Sequence, residues 1–301
     1  MSTDAIFHPR AVREGFFPVN GAQLYYRDTG QGQTIVVIHG GPDFDHHYLL
    51  PDLDPLSDAF RLIYYDQRGR GRSGWGVQPE DVTLESEISD LESLREYFQL
   101  ESVAVLGHSW GGLLAMEYAI RHADRISHLL LMNTAPASRA DYLVLRQALA
   151  RKRSPGDSEK MEALLSTDQY AKGDLETDAE YYRFHFRPTV RRPELLEWVV
   201  QSLRVGMTAE RVVKARAIED RLYEQTWMLS NYDLLPQLAQ LHIPALVIHS
   251  EYDLVPFECA AHIAQAIAGA RLVELEDCGH FSHLECPNEV RKAIADLLVC
   301  Q

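Results

Sequence analysis

The chain has 301 residues, enough for one large core or for a core carrying an inserted subdomain. Its 46% hydrophobic and 24% charged residues are ordinary for a globular protein in water. Lys plus Arg total 29 against 44 for Asp plus Glu, a net charge of −15, which argues against nucleic acid or an anionic membrane as partner because both repel an acidic surface.

The opening residues, MSTDAIFHPRAVREGFF, lack a basic region followed by an apolar run. No secretory signal is expected there, and no later run approaches membrane-span length. Residues 15–19 and 23–28 are short strand candidates around Asn20-Gly21, a strong hairpin signal. Residues 34–38 (TIVVI) form a continuous β-branched run, which suits a strand buried on both faces. Residues 61–66, 102–106, 126–132, 245–248 and 271–275 read the same way. Residues 84–98, 111–122 and 287–299 carry apolar residues at helical spacing. This alternation predicts an α/β fold: a doubly wound, mostly parallel sheet with helices on both faces. From 137 to 223 no strand run occurs, and residues 143–153, 158–165, 179–186, 193–205 and 209–222 read as helices. The expected organisation is therefore a core of residues 1–136 and 224–301 with a helical cap inserted at 137–223.

Gly107-His108-Ser109-Trp110-Gly111 matches G-x-S-x-G between a strand and a helix. A serine on such a sharp turn is lifted off the sheet, and the helix N-terminus offers N–H groups where negative charge develops. Glycines flank it because a side chain would collide with the turn. Ser109 is the expected nucleophile. A serine hydroxyl needs a base, and on this kind of elbow the acid and then the histidine follow in chain order. His280 lies in the loop after the strand at 271–275, where a ring can reach across to Ser109. His262 falls in a helix-like segment, and His283 reads as a packing residue. Asp253, at the crest of the loop after 245–248 and before Pro256, is the expected acid. Glu251 reads as structural, and Asn133 occupies the other usual acid position. His39-Gly40-Gly41-Pro42 follows the strand at 34–38. The backbone N–H groups of Gly41 and Trp110 are the expected oxyanion donors.

Gly69-Arg70-Gly71-Arg72-Ser73-Gly74 spells a dinucleotide-binding G-x-G-x-x-G, but Trp75, Gly76 and Pro79 follow where a helix should. It is read as a structural loop, with Asp66 and Arg68 ion-paired behind the site. Cys259, Cys278, Cys286 and Cys300 lack metal-type spacing and suggest reduced thiols in a cytoplasmic protein. Phe184, Trp198 and Trp227, with Tyr181, Tyr182, Phe186, Met207 and Met228, are candidate pocket walls.

HGGP at 39–42, DQRGRGRS at 66–73, GHSWGG at 107–112, EYDLVP at 251–256 and CGH at 278–280 together resemble the α/β-hydrolases, and within them the proline iminopeptidase group. The resemblance implies an eight-stranded sheet with a helical cap, no metal or cofactor, and release of an N-terminal residue from short peptides. Two positions depart from the group. Asp43 stands where its first loop has a final Gly, and Leu254 stands where it has an acid for the substrate's amine. Glu224 is the candidate for a second amine-binding acid. A carboxylesterase or lactonase acting on a small molecule without a free amine is the enzymatic alternative. A ligand receptor on the same scaffold is the non-enzymatic one. The oligomeric state is not written in these motifs.

Overall fold

The computed structural model describes residues 11–299. Most of the opening segment read for a secretory signal, and Cys300, fall outside the described residues. Eight strands form one sheet: β1 (Val12–Val19), β2 (Ala22–Gly30), β3 (Thr34–Ile38), β4 (Arg61–Tyr65), β5 (Val103–His108), β6 (Ile126–Met132), β7 (Ala245–Tyr252) and β8 (Arg271–Gly279). Their order is β1-β2-β4-β3-β5-β6-β7-β8. The pairs β1–β2 and β2–β4 are antiparallel, and every other pair is parallel.

The β-branched runs have a simple consequence. Alternate side chains of a strand enter opposite faces, and here both faces are covered. Ile35 and Val37 of β3 join one buried cluster, while Val36 and Ile38 join the other. Ala104 and Leu106 of β5 divide from Val103 and Val105 in the same way. Each fully buried Val, Ile or Leu contributes roughly 1.5–3 kcal/mol.

The helices are α1 (Leu84–Tyr97), α2 (Trp110–Arg121), α3 (Arg139–Lys152), α4 (Pro155–Leu165), α5 (Asp168–Ala171), α6 (Leu175–Phe186), α7 (Leu196–Ser202), α8 (Ala209–Glu224), α9 (Leu235–Leu238), α10 (Phe257–Ala266), α11 (Ser282–Glu285) and α12 (Pro287–Val299). Between β6 and β7 the chain is helical, with α3 to α9 in succession. It leaves and returns through one neck. Arg139 N–H donates to the Tyr232 carbonyl and Leu234 N–H to the Ala137 carbonyl. The excursion thus closes at Tyr232–Leu234, later than residue 223. The turns after α8 carry no periodic signal that would mark this return. No helix of the described residues is long and apolar enough to cross a membrane.

Candidate active site

Ser109 caps α2 directly after β5, with φ 54° and ψ −120°. A non-glycine residue holds such a backbone only where its surroundings enforce it. Two glycines make the turn possible. A Cβ on Gly107 would lie 2.2 Å from the Gly111 oxygen, and one on Gly111 would lie 2.3 Å from the Ile38 oxygen. The serine turn is therefore pressed against β3 with no room for side chains.

Asp253 follows β7 and is fully buried. Its Oδ1 lies 2.6 Å from His280 Nδ1, and its Oδ2 accepts from Asn133 Nδ2 at 2.8 Å. Oδ1 also accepts the Val255 backbone N–H at 3.1 Å. His249 Nδ1 stands 3.3 Å from Oδ2, and the Lys152 ammonium donates to the Asp253 carbonyl. Burial opposes the carboxylate's charge. The His280 charge and hydrogen bond, His249 and Asn133 overcome it and hold the carboxyl well below the usual range.

His280 is joined to the serine turn through His108. The His108 Nε2–H donates to the His280 carbonyl at 3.0 Å. His108 Nδ1 is 2.7 Å from the Tyr48 hydroxyl, which accepts from Gly40 N–H at 2.7 Å. Burial drives the His108 ring well below the ordinary histidine pKa, so it is neutral. A neutral ring has one donor and one acceptor, and this arrangement uses both. One chain of hydrogen bonds thus ties the Gly40–Gly41 loop, the serine turn and the histidine loop together. His283 Nε2–H bonds the Tyr48 carbonyl at 3.0 Å, a packing role.

A cavity of about 150 Å³ is lined by Gly41, Ser109 and Trp110 from the core, and by Tyr142, Tyr181, Tyr182, Phe186, Tyr223 and Trp227 from the helical segment. Wider surface clefts of about 820 and 920 Å³ do not include Ser109, and His280 lines none of the three.

Residues 33–287 match the alpha/beta hydrolase fold family. This chain belongs to that family. The hydrolase is 27% identical to a proline iminopeptidase of Saccharolobus solfataricus, over 95% of this chain and 92% of the relative. It is 28% identical to a proline iminopeptidase of Lactobacillus helveticus, over 92% of this chain and 95% of the relative. Among solved structures it resembles the enol-lactonase of Burkholderia xenovorans, with 28% identity and a TM-score of 0.65, covering 95% of this chain and all of that one. A proline iminopeptidase of Mycobacterium smegmatis superposes with a TM-score of 0.70 at 24% identity, covering 95% and 97%, and shares the fold.

The hydrolase places the substrate-side residues differently from the sequence expectation. Trp227 lines the cavity, with its ring stacked on Tyr142 at 4.7 Å and its Nε1–H on the Pro136 carbonyl. Phe184 does not: it is buried beneath the Arg187 guanidinium, while Tyr181, Tyr182 and Phe186 of the same helix face the cavity. Trp198 is solvent-exposed on α7. Glu224 is exposed at the end of α8 and also lies outside the cavity wall. The cavity acid of that helix is Glu219. The two are five residues apart, a rotation of roughly 140° about the axis.

Glu219 was legible in principle. Val212, Ala215, Ile218 and Leu222 form the buried face of α8, and Glu219 stands four after Ala215 and three before Leu222, on that stripe. Asp43 is the second acid in the cavity wall. It accepts a hydrogen bond from the Tyr182 hydroxyl. Burial raises the Asp43 pKa. Burial and the Asp43 charge together push Glu219 up to about 8. The residue that departs from the HGGPG pattern is thus a cavity carboxylate.

The loop spelling G-x-G-x-x-G continues into a short 3-10 turn at Gly71–Gly74. Arg68 pairs with Asp90 and Arg70 with Glu87, all buried. Asp66 bonds His46 Nδ1 at 2.6 Å. Burial opposes its charge, yet the bond and charge of His46 hold it down at about 2. Glu251 accepts the Asp277 N–H at 3.0 Å, a structural contact. Among the described residues, Asp45, His46 and His47 form the group whose donor atoms, within 4.8 Å of one another, could hold a metal ion. In this structure His46 is engaged by Asp66 and His47 Nδ1 by Asp45 at 2.9 Å, which shapes the loop behind Gly41.

Proposed function

We propose that this hydrolase releases the N-terminal residue of short peptides through an acyl-enzyme formed on Ser109. The observation that carries the reading is the pair of carboxylates, Asp43 and Glu219, in the same small cavity as Ser109. Two acids in one dry space resist ionising together. A substrate ammonium between them would let both ionise, so the pair favours a cationic amine. The volume of about 150 Å³ and the aromatic walls suit one small apolar side chain, such as the proline ring. The named activity of the Saccharolobus and Lactobacillus relatives supports the same reading.

In this mechanism the Ser109 hydroxyl attacks the carbonyl of the first residue and His280 Nε2 takes the proton. Asp253, at 2.6 Å from Nδ1, keeps that nitrogen protonated and stabilises the imidazolium. The backbone N–H groups of Gly41 and Trp110 hold the oxyanion. The imidazolium then protonates the departing amine, and water releases the acyl group by the same steps reversed. The helical segment from α3 to α8 acts as the cap that excludes bulk water. Cys259, Cys278 and Cys286 are buried free thiols, in keeping with a reducing, cytoplasmic setting.

The test is hydrolysis of proline p-nitroanilide beside its N-acetylated form. Wild type should cleave the free amine far faster, and Ser109→Ala should lose several orders of magnitude in turnover while keeping its circular dichroism. Equal rates on both anilides would remove the aminopeptidase assignment. The likeness to an enol-lactonase favours a second reading, hydrolysis of an ester or lactone without an amine. Faster turnover of p-nitrophenyl esters or lactones than of any aminoacyl anilide would select it.

A further inference from the structure

The cavity wall that carries Ser109 also carries Arg146 and His185. Behind His185 stands Arg153, whose Nη2–H donates to His185 Nδ1 at 3.1 Å. Burial, with the positive charges of Arg153, His280 and Arg146, holds the His185 ring down at about 3, so it is a neutral acceptor. The two guanidiniums are close enough to repel one another. Among the described residues, neither forms a salt bridge to a carboxylate. Arg153 Nε is buried without a hydrogen-bond partner.

Arg139, Arg211 and Arg221 of the same helical segment donate to backbone carbonyls. Acids outnumber basic residues 44 to 29. Arg183, Arg187, Arg204 and Arg216 of the same helical segment all meet carboxylates. Arg146 lines the cavity while remaining exposed to solvent, and Arg153 is half-buried behind His185, so the two cations repel one another and Arg153 is partly desolvated. An anionic ligand group would offset both. Arginine forks match the two oxygens of a carboxylate.

We propose that Arg146, backed by Arg153 behind His185, forms a carboxylate subsite for the leaving-group side of the substrate. The proposal rests on the aminopeptidase reading: with the amine held by Asp43 and Glu219, a dipeptide presents its other charged end beyond the scissile bond. The substrate class is then the zwitterionic short peptide, bound at both ends. The carboxylate has two chemical sources, the free C-terminus or an acidic side chain of the departing residue.

The experiment compares kcat/KM for Pro-Gly, Pro-Gly-amide and Pro-Glu-amide. Wild type should prefer Pro-Gly over its amide by at least about tenfold, the effect of one charge-assisted hydrogen bond. Recovery with Pro-Glu-amide would keep the subsite and extend it to side-chain carboxylates. Arg146→Met and Arg153→Met should each bring the acid-to-amide ratio toward one. Equal wild-type values for all three peptides, or a ratio unchanged in both variants, would overturn the subsite. If no aminoacyl substrate is cleaved, the aminopeptidase reading itself has failed. The subsite is then read from inhibition of p-nitrophenyl acetate hydrolysis by N-acetylglycine against N-acetylglycinamide. Inhibition by the acid alone, lost in Arg146→Met, supports it. Equal inhibition, or none, rejects it.

Discussion

Asn133, at the tip of β6, donates to the Asp253 carboxylate at 2.8 Å from the side opposite the bond to His280. The position after β6 is thus occupied by a residue that holds the Asp253 carboxylate. Asn133 holds φ at 45° to do so, and its Oδ1 accepts from the Ser282 hydroxyl just beyond His280. Asn133→Ala leaves one oxygen of a buried carboxylate without its donor, a loss of about 1–3 kcal/mol. We expect about tenfold lower kcat/KM on an ester substrate and a lower melting temperature. Asn133→Asp should do more harm, because a second carboxylate beside Asp253 raises its pKa. The acid limb of the pH–rate profile should move to higher pH. A wild-type profile in Asn133→Asp would remove Asn133 from the site.

Glu219 provides a pH test with a definite sign. Burial and Asp43 raise its folded pKa to about 8. The folded protein therefore holds a proton that the unfolded chain has already lost above the ordinary carboxyl range, roughly pH 4–5. Stability falls as pH rises through that window and levels off above about 8. Glu219→Gln removes this dependence. Its melting temperature should match wild type near pH 4 and exceed it by a few degrees near pH 9, as thermal unfolding at several pH values would record. A gap that narrows with rising pH would contradict the assignment.

The same substitution should separate substrates. With one acid gone, the cavity holds an ammonium less well, so kcat/KM for proline p-nitroanilide should fall by about tenfold or more. Turnover of p-nitrophenyl acetate, which has no amine, should change much less. Parallel losses on both substrates would mean that Glu219 acts on the shape of the cavity instead.

Gly107→Ala tests the serine turn. Its Cβ would sit 2.2 Å from the Gly111 oxygen and 2.4 Å from the Gly111 carbon, both backbone atoms. The turn has to open, which moves Ser109 away from Gly41. We expect loss of most activity and of fluorophosphonate labelling, with destabilisation of about 1–3 kcal/mol in urea unfolding. Unchanged labelling would show that the turn yields more easily than its packing implies.

Tyr48→Phe breaks the hydrogen-bond chain between the Gly40 loop and His108. Two buried groups lose their partner, Gly40 N–H and His108 Nδ1. The cost is about 1–3 kcal/mol for each group left unsatisfied. Thermal unfolding should show the loss. Ester turnover should fall as well, since the loop carrying Gly41 is no longer tied to the base. A stable variant with normal kcat would make the chain a packing feature only.

The sheet strands, the serine turn and the loops carrying Asp253 and His280 could be read before folding because each is written locally. A strand buried on both faces needs an apolar run, and TIVVI supplies one at Thr34–Ile38. A strained serine turn needs glycines on both sides, and Gly107 and Gly111 provide them. Glu219 was harder, since one acid in the apolar stripe of α8 looks from sequence like one more charge on a charged helix. Phe184 and Trp198 failed for the complementary reason: aromatic identity says nothing about which side of a helix meets the cavity.

Local order along the chain, then, was enough to specify the alternating elements, the helical excursion and the G-x-S-x-G turn. Only tertiary structure could bring Asp43 to Tyr182, His108 to His280 or Arg153 to His185, pairs that no spacing rule connects. Those contacts depend on how helices rotate and dock over the sheet, which is set by the packing of all the side chains together. For that reason the kind of chemistry was legible in the sequence, while the charges that select its substrate were not.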